Sequence, residues 1–126
     1  MNWTGDPLER RRVEREERLA LAREHVEQIG GRIPVTGAVV AGSIARGDFN
    51  LWSDVDVVVV SDALPAPGPA REQTLAGEGA PGVELHGYTS AEFAHALERG
   101  DRLALEAVES GVVLFGALPR AEPTGT

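Results

Sequence analysis

The segment Asp54-Val55-Asp56-Val57-Val58-Val59-Val60-Ser61 restricts the fold more than any other part of the chain. Valine is stiff at χ1 and favours extended backbone, so four in succession predict a strand. Alternate residues of a strand point to opposite faces, and an unbroken apolar run suits a strand buried on both. Such a strand belongs at the centre of a sheet. Asp54 and Asp56, at i and i+2, face the same way, about 6.6 Å apart along the strand. Val58 and Val60 continue their face, while Val55 and Val57 lie on the other. Two carboxylates therefore stand at the rim of a buried strand. There they repel unless a cation sits between them or one is protonated.

The remainder of the chain surrounds that strand with material for one α/β domain. Its 126 residues and 13.4 kDa match the usual size of a single domain. A strong helix is expected over residues 6–29, capped by Asp6 with Pro7 at its first position. Leu19, Ala22, Val26 and Ile29 form its apolar stripe. Its first half mixes both charge signs and reads as a solvated face with local ion pairs. Contact of the arginines Arg10 to Arg12 with a partner or a phosphate is the alternative. A strand is expected at 35–41, a helical turn opening at Ser43, and a third strand at 83–88. Thr89-Ser90-Ala91-Glu92 has the form of a capping box for a helix to about Arg99. Asp101 caps a further helix to Ser110, and Val112 to Phe115 form a last strand. The proline-rich residues 62–82 read as a long loop with one helical turn at 70–75, mobile and functional. The chain thus divides into an N-terminal helix (1–34), a core (35–116) and a flexible tail (117–126).

Charge and composition narrow the function. Twenty acidic residues against twelve basic ones leave a net charge of −8. All the basic residues are arginine, and there is no cysteine. Without lysine there is no Schiff base and no phosphate-loop lysine. Without cysteine there is no disulfide scaffold or thiolate metal site. The acidity disfavours binding to duplex nucleic acid, which needs a basic footprint. No apolar run is long enough to span a membrane, and the first residues lack the apolar core of a secretory signal. A cytoplasmic location is expected.

The chemistry is concentrated in Gly42-Ser43-Ile44-Ala45-Arg46-Gly47, five residues, then Ser53-Asp54-Val55-Asp56. A Gly-Ser pair that ends a strand and opens a helical turn aims backbone N–H groups and a hydroxyl outward, which suits a phosphate. Gly47 permits either close approach or a positive φ. Hard carboxylate ligands beside a phosphate cradle suit Mg²⁺ or Mn²⁺.

GSIARGDFNLWSDVDVVVV resembles the signature of the minimal nucleotidyltransferases, within the DNA polymerase β-like nucleotidyltransferase superfamily. The pattern is Gly-Ser, a glycine four residues after the serine, and Ser-Asp-x-Asp after a short loop. Gly42, Ser43, Gly47, Ser53, Asp54 and Asp56 each match it, and the resemblance spans about residues 35–90. It implies a small mixed sheet with helices packed mainly on one face. It implies a third acid on a neighbouring strand, for which Val83-Glu84-Leu85 is the match, with glutamate where aspartate is usual. An exposed strand residue is the plainer reading of Glu84. His86 shares its face and either lines the site or has an ordinary structural or solvent-exposed role. Two divalent ions, Mg²⁺ or Mn²⁺, would be held by Asp54, Asp56 and Glu84, with Glu84 as ligand or base. Gly42, Ser43, Arg46, Gly47 and Ser53 would bind the nucleotide. Trp52 is read as a packing residue, with base stacking as the alternative. His25 and His95 fall on predicted helices and read as surface residues.

The resemblance implies transfer of a nucleoside monophosphate, AMP from ATP, to a hydroxyl with release of pyrophosphate. Family members of this size often pair with a helical HEPN protein in toxin–antitoxin modules and resemble antitoxins that modify the toxin. A protein partner is therefore the expected acceptor, with a homo- or hetero-oligomer left open. Transfer to a small molecule of the aminoglycoside type, or neutralisation of a partner by binding alone, are the competing readings.

Overall fold

The computed structural model describes residues 6–50, 53–77 and 81–119. Trp52 and the tail from residue 120 lie outside them. The described residues form five helices and four strands. They run α1 (Pro7–Gly30), β1 (Gly37–Ala41), α2 (Gly42–Arg46), β2 (Val55–Val60), α3 (Pro69–Ala76), β3 (Val83–Tyr88), α4 (Ser90–Glu98), α5 (Arg102–Ser110) and β4 (Val112–Gly116).

The valine strand β2 lies inside the sheet, whose order is β3-β2-β1-β4. It pairs antiparallel with β1 and parallel with β3, while β1 also pairs antiparallel with β4. The sheet is mixed, as expected. The parallel pair β2–β3 needs a crossover, and α3 lies within it. Val55, Val57 and Val59 face a core built with Ala22, Val26 and Ile29 of α1 and Leu75 of α3. Val58 and Val60 face a second core with Phe93 and Ala96 of α4 and Ala104 and Ala107 of α5. One expectation is corrected here. Helices cover both faces of the sheet rather than mainly one. The physical reason lies in β2: with apolar residues at consecutive positions, neither face tolerates water.

The ends of the helices follow local chemistry. Asp6 caps α1 by accepting from the Leu8 amide, and Asp101 caps α5 by accepting from the Ala104 amide. Thr89 and Glu92 complete the capping box of α4. The apolar stripe of α1 is buried as expected, but His25 is buried with it, only 3% exposed. This corrects its reading as a surface residue. Three residues after Ala22 and four before Ile29, it is on the inward face. Its Nε2 lies 3.4 Å from the Leu75 carbonyl and its Nδ1 has no partner. His95 is exposed, as expected.

Residues 62–77 are tied down. The expected single helical turn is the longer α3, and Leu64 and Leu75 are buried beneath it. Arg71, 6% exposed, donates to the Pro65 carbonyl at 2.7 Å and forms a two-pronged pair with Glu92 at 2.7 and 3.3 Å.

Candidate active site

Three donor groups converge on the face of the sheet that α4 and α5 cover. The parallel register places Glu84 beside Asp56 and His86 beside Val58, so Asp56, Glu84 and His86 share a face. The His86 ring nitrogen Nε2 lies 3.1 Å from Asp56 Oδ1 and 4.0 Å from Glu84 Oε1. One donor atom from each residue lies within 4.8 Å of the other two. Asp56 and His86 are each 28% exposed at the side chain and Glu84 is 59% exposed. Asp54 precedes β2 and is exposed, and this group of three does not include it.

Asp56 is also a wall of a cleft of about 380 Å³, shared with Gly42, Ser43, Arg46, Arg102, Leu103 and Glu106. Gly42, the first residue of α2 directly after β1, has a φ of +73°. A Cβ there would sit 2.7 Å from Asp56 Oδ2, closer than real contacts allow. Glycine is required twice over, by its left-handed backbone and by the carboxylate pressed against it. This cradle, beside two carboxylates and an imidazole, fits a divalent cation: the donors are acidic, grouped and reachable from solvent. Ser43 opens onto the same cleft. Gly47 closes α2 in the left-handed region at φ +89°, and nothing lies within 4 Å of a Cβ placed there. Of its two possible roles, the structure shows the backbone one.

The remaining matched positions hold this scaffold. The Ser53 hydroxyl accepts from the Asn50 amide at 3.0 Å, and the Ser53 amide donates to the Asn50 carbonyl at 3.1 Å. Ser53 thus closes the turn that leads into the aspartates. Arg46 lies on the cleft rim, paired with Asp48 at 3.2 Å and with Glu106 at 3.0 Å. The hydrogen bond that Arg46 donates to Asp48 is the main cause that raises its pKa above the usual arginine value. Glu106 also pairs with Arg102 at 3.1 Å, so two guanidinium groups flank the cleft through one carboxylate. Sequence reading did not single out Arg102, because only the packing of α5 against β1 and α2 brings it here.

A second set of residues was missed and carries the turn from behind. Arg11 donates to the Gly47 carbonyl at 3.2 Å and to that of Phe49. Arg15 donates to the carbonyls of Ile44 and Ala45 at 2.9 and 3.0 Å. Arg18 donates to the Ser53 carbonyl. Arg11 and Arg18 also lie 5.0 and 5.3 Å from the centre of the buried Phe49 ring. The expected local ion pairs do occur, from Arg12 to Glu9 and Glu16. The face carrying Arg11, Arg15 and Arg18 instead satisfies the carbonyls that α2 and its following loop leave open. Their spacing of four and three was the available signal.

The nucleotidyltransferase domain family matches residues 19–80. That span contains Gly42, Ser43, Gly47, Ser53, Asp54 and Asp56, and ends before Glu84. These residues form a nucleotidyltransferase domain. The crystal structure of a provisionally assigned nucleotidyltransferase from Sulfolobus solfataricus has the same fold, with a TM-score of 0.61 and 19% identity. The alignment covers 88% of this chain and 90% of that one. Curated proteins give no sequence match. The nucleotidyltransferase fold therefore includes α1, whose second half falls inside the matched region.

Proposed function

We propose that this nucleotidyltransferase transfers AMP from ATP to a hydroxyl of a partner protein, releasing pyrophosphate. The observation that carries the reading is the meeting, at Asp56, of the Gly42–Ser43 turn and the Asp56–Glu84–His86 donor group. ATP as the donor follows the resemblance in the signature. The protein acceptor is supported by the placement of the donors: Glu84 and His86 stand on β3, an edge strand, and Glu84 is largely exposed. A helical partner of the HEPN type, within a toxin–antitoxin pair, is the acceptor the resemblance favours.

Asp56 and Glu84, and by the resemblance Asp54, would hold Mg²⁺ or Mn²⁺. Bound divalent cations neutralise the triphosphate and ease deprotonation of the attacking hydroxyl. The chain's own residues position the reactants. The Ser43 hydroxyl, on the same cleft as Asp56, is available to a phosphate oxygen. Arg46 and Arg102 stand at the mouth, joined through Glu106, and would offer their guanidinium groups to a leaving pyrophosphate by exchanging that carboxylate. The hydroxyl oxygen attacks the α-phosphorus, the bond to the bridging oxygen breaks, and the proton passes to Glu84 or to water.

The test is incubation of the full chain with α-labelled ATP, Mg²⁺ and a HEPN-type partner. The account expects label on the partner, lost with Asp54→Asn/Asp56→Asn. Pyrophosphate release on addition of an aminoglycoside, without any protein partner, contradicts the protein acceptor. Full neutralisation of the partner by the double variant at normal expression contradicts catalysis in favour of binding alone.

A further inference from the structure

We propose that His86 is a direct ligand of the divalent cation and turns the site's preference from Mg²⁺ towards transition-metal dications. The inference rests on the reading of Asp56 and Glu84 as a metal site and adds to it the identity of the ion.

Four observations carry it. The register of β2 and β3 makes the three side chains neighbours on one face without any change of backbone. The separations of His86 from both carboxylates already match those of ligands on one ion. Donors at about 2.0–2.2 Å from a common ion stand about 3–4.4 Å from one another. His86 Nε2 is 3.1 Å from Asp56 Oδ1 and 4.0 Å from Glu84 Oε1. Among the described residues, the side-chain partners of the imidazole are these two carboxylates. Finally, the ring is 28% exposed, open enough for an ion to enter and fixed enough to stay aimed at Asp56. A cation can take the place of the shared proton between Nε2 and Oδ1.

The consequence follows from donor chemistry. Mg²⁺ favours an all-oxygen shell and keeps several waters. Imidazole nitrogen contributes little to Mg²⁺ binding and progressively more from Mn²⁺ through Co²⁺ to Zn²⁺. One nitrogen among carboxylates therefore tilts the competition without excluding Mg²⁺ at high concentration. A positioning role, in which His86 only holds Asp56 by hydrogen bonding, leaves the metal with oxygen ligands alone. The two roles differ in a spectroscopic observable.

The experiment uses the full chain without nucleotide and Mn²⁺ as the probe. Pulsed electron paramagnetic resonance of bound Mn²⁺ should show coupling to a directly bound ¹⁴N nucleus in the wild type. That coupling should vanish in His86→Leu and His86→Gln. Displacement titrations with Mg²⁺ should show the Mn²⁺-over-Mg²⁺ preference falling by about 10-fold or more in both variants. Bound Mn²⁺ without nitrogen coupling overturns the proposal and leaves the metal site standing. Coupling that persists in both variants also overturns it, because another nitrogen is then the ligand. Equal, negligible Mn²⁺ binding by wild type and Asp56→Asn overturns this proposal together with the metal-site reading on which it rests.

Discussion

Asp56 is the residue on which the site turns, because both of its oxygens are engaged. Oδ1 meets His86, and Oδ2 lies where a side chain at position 42 would have to go. Gly42→Ala should therefore do more than strain a left-handed backbone. It should push the carboxylate off its line, and displacements of about 1 Å at a reacting centre cost about 10²-fold in rate. The expected result is a fall in kcat/KM of about that size or more, with the protein still folded; steady-state kinetics with circular dichroism checks it. Asp56→Asn keeps the shape and removes the charge. It should abolish transfer while shifting Tm little, because the side chain stands at the rim of the strand rather than inside it. The aspartates stood out in the sequence because charge beside a buried valine run has to be explained, whereas Glu84 was matched through the family resemblance alone. The contact of His86 with Asp56 was not legible, since nothing in VELHGY fixes how β3 slides along β2. Only the register Val58↔His86 brings the ring to Asp56.

Among the elements, α1 is the one whose role changed most between sequence and structure. Its charged half looked solvated, yet Arg15 alone makes two hydrogen bonds to the end of α2. Hydrogen bonds from a charged donor contribute about 1.5–3 kcal/mol where they are shielded from water. Arg15 is half-buried, so Arg15→Ala should cost stability at the lower end of that range, read by chemical denaturation. It should also lower kcat by loosening the turn that carries Gly42 and Ser43, whereas Arg12→Ala, on the solvated face, should do neither. The fastening of α3 to α4 is tested by pH. The Arg71 guanidinium, first among the causes, holds the Glu92 carboxyl below its ordinary value. A carboxyl lowered on folding stabilises fully above its unfolded value, and that contribution is lost as pH falls through the folded one. Acid should thus release α3 from α4, and Glu92→Gln should flatten the dependence of Tm on pH below about 4.5. Helix limits were readable from Asp6, Thr89, Glu92 and Asp101, because caps are local. The length of α3 was not, because Leu64, Arg71 and Leu75 owe their burial to distant partners.

For the molecule as a whole, the inner strands β1 and β2 join two cores on opposite faces of the sheet. Val57 belongs to the core under α1, and Val58 to the one under α4 and α5. Because both cores share these strands, unfolding should be a single transition. Val57→Ala and Val58→Ala should each remove about 2 kcal/mol. Both should lower the same midpoint, with far-ultraviolet dichroism and tryptophan fluorescence coincident. The sequence signalled a central strand buried on two faces, but the helices that cover them, α1 and α3 on one and α4 and α5 on the other, are spread along the chain between the strands. Their assignment to sides was set by packing. The cleft beside β2 sets Arg46 and Arg102, joined through Glu106, close to the turn at Gly42. The central claim is that this cleft directs attack at the α-phosphorus of a nucleoside triphosphate. Parallel reactions with α-labelled and γ-labelled ATP, the full chain, a divalent metal and the acceptor test it most directly. The account predicts α-label on the acceptor and γ-label in pyrophosphate, both abolished by Asp56→Asn. Transfer of the γ-label to the acceptor, or its release as orthophosphate, would contradict it.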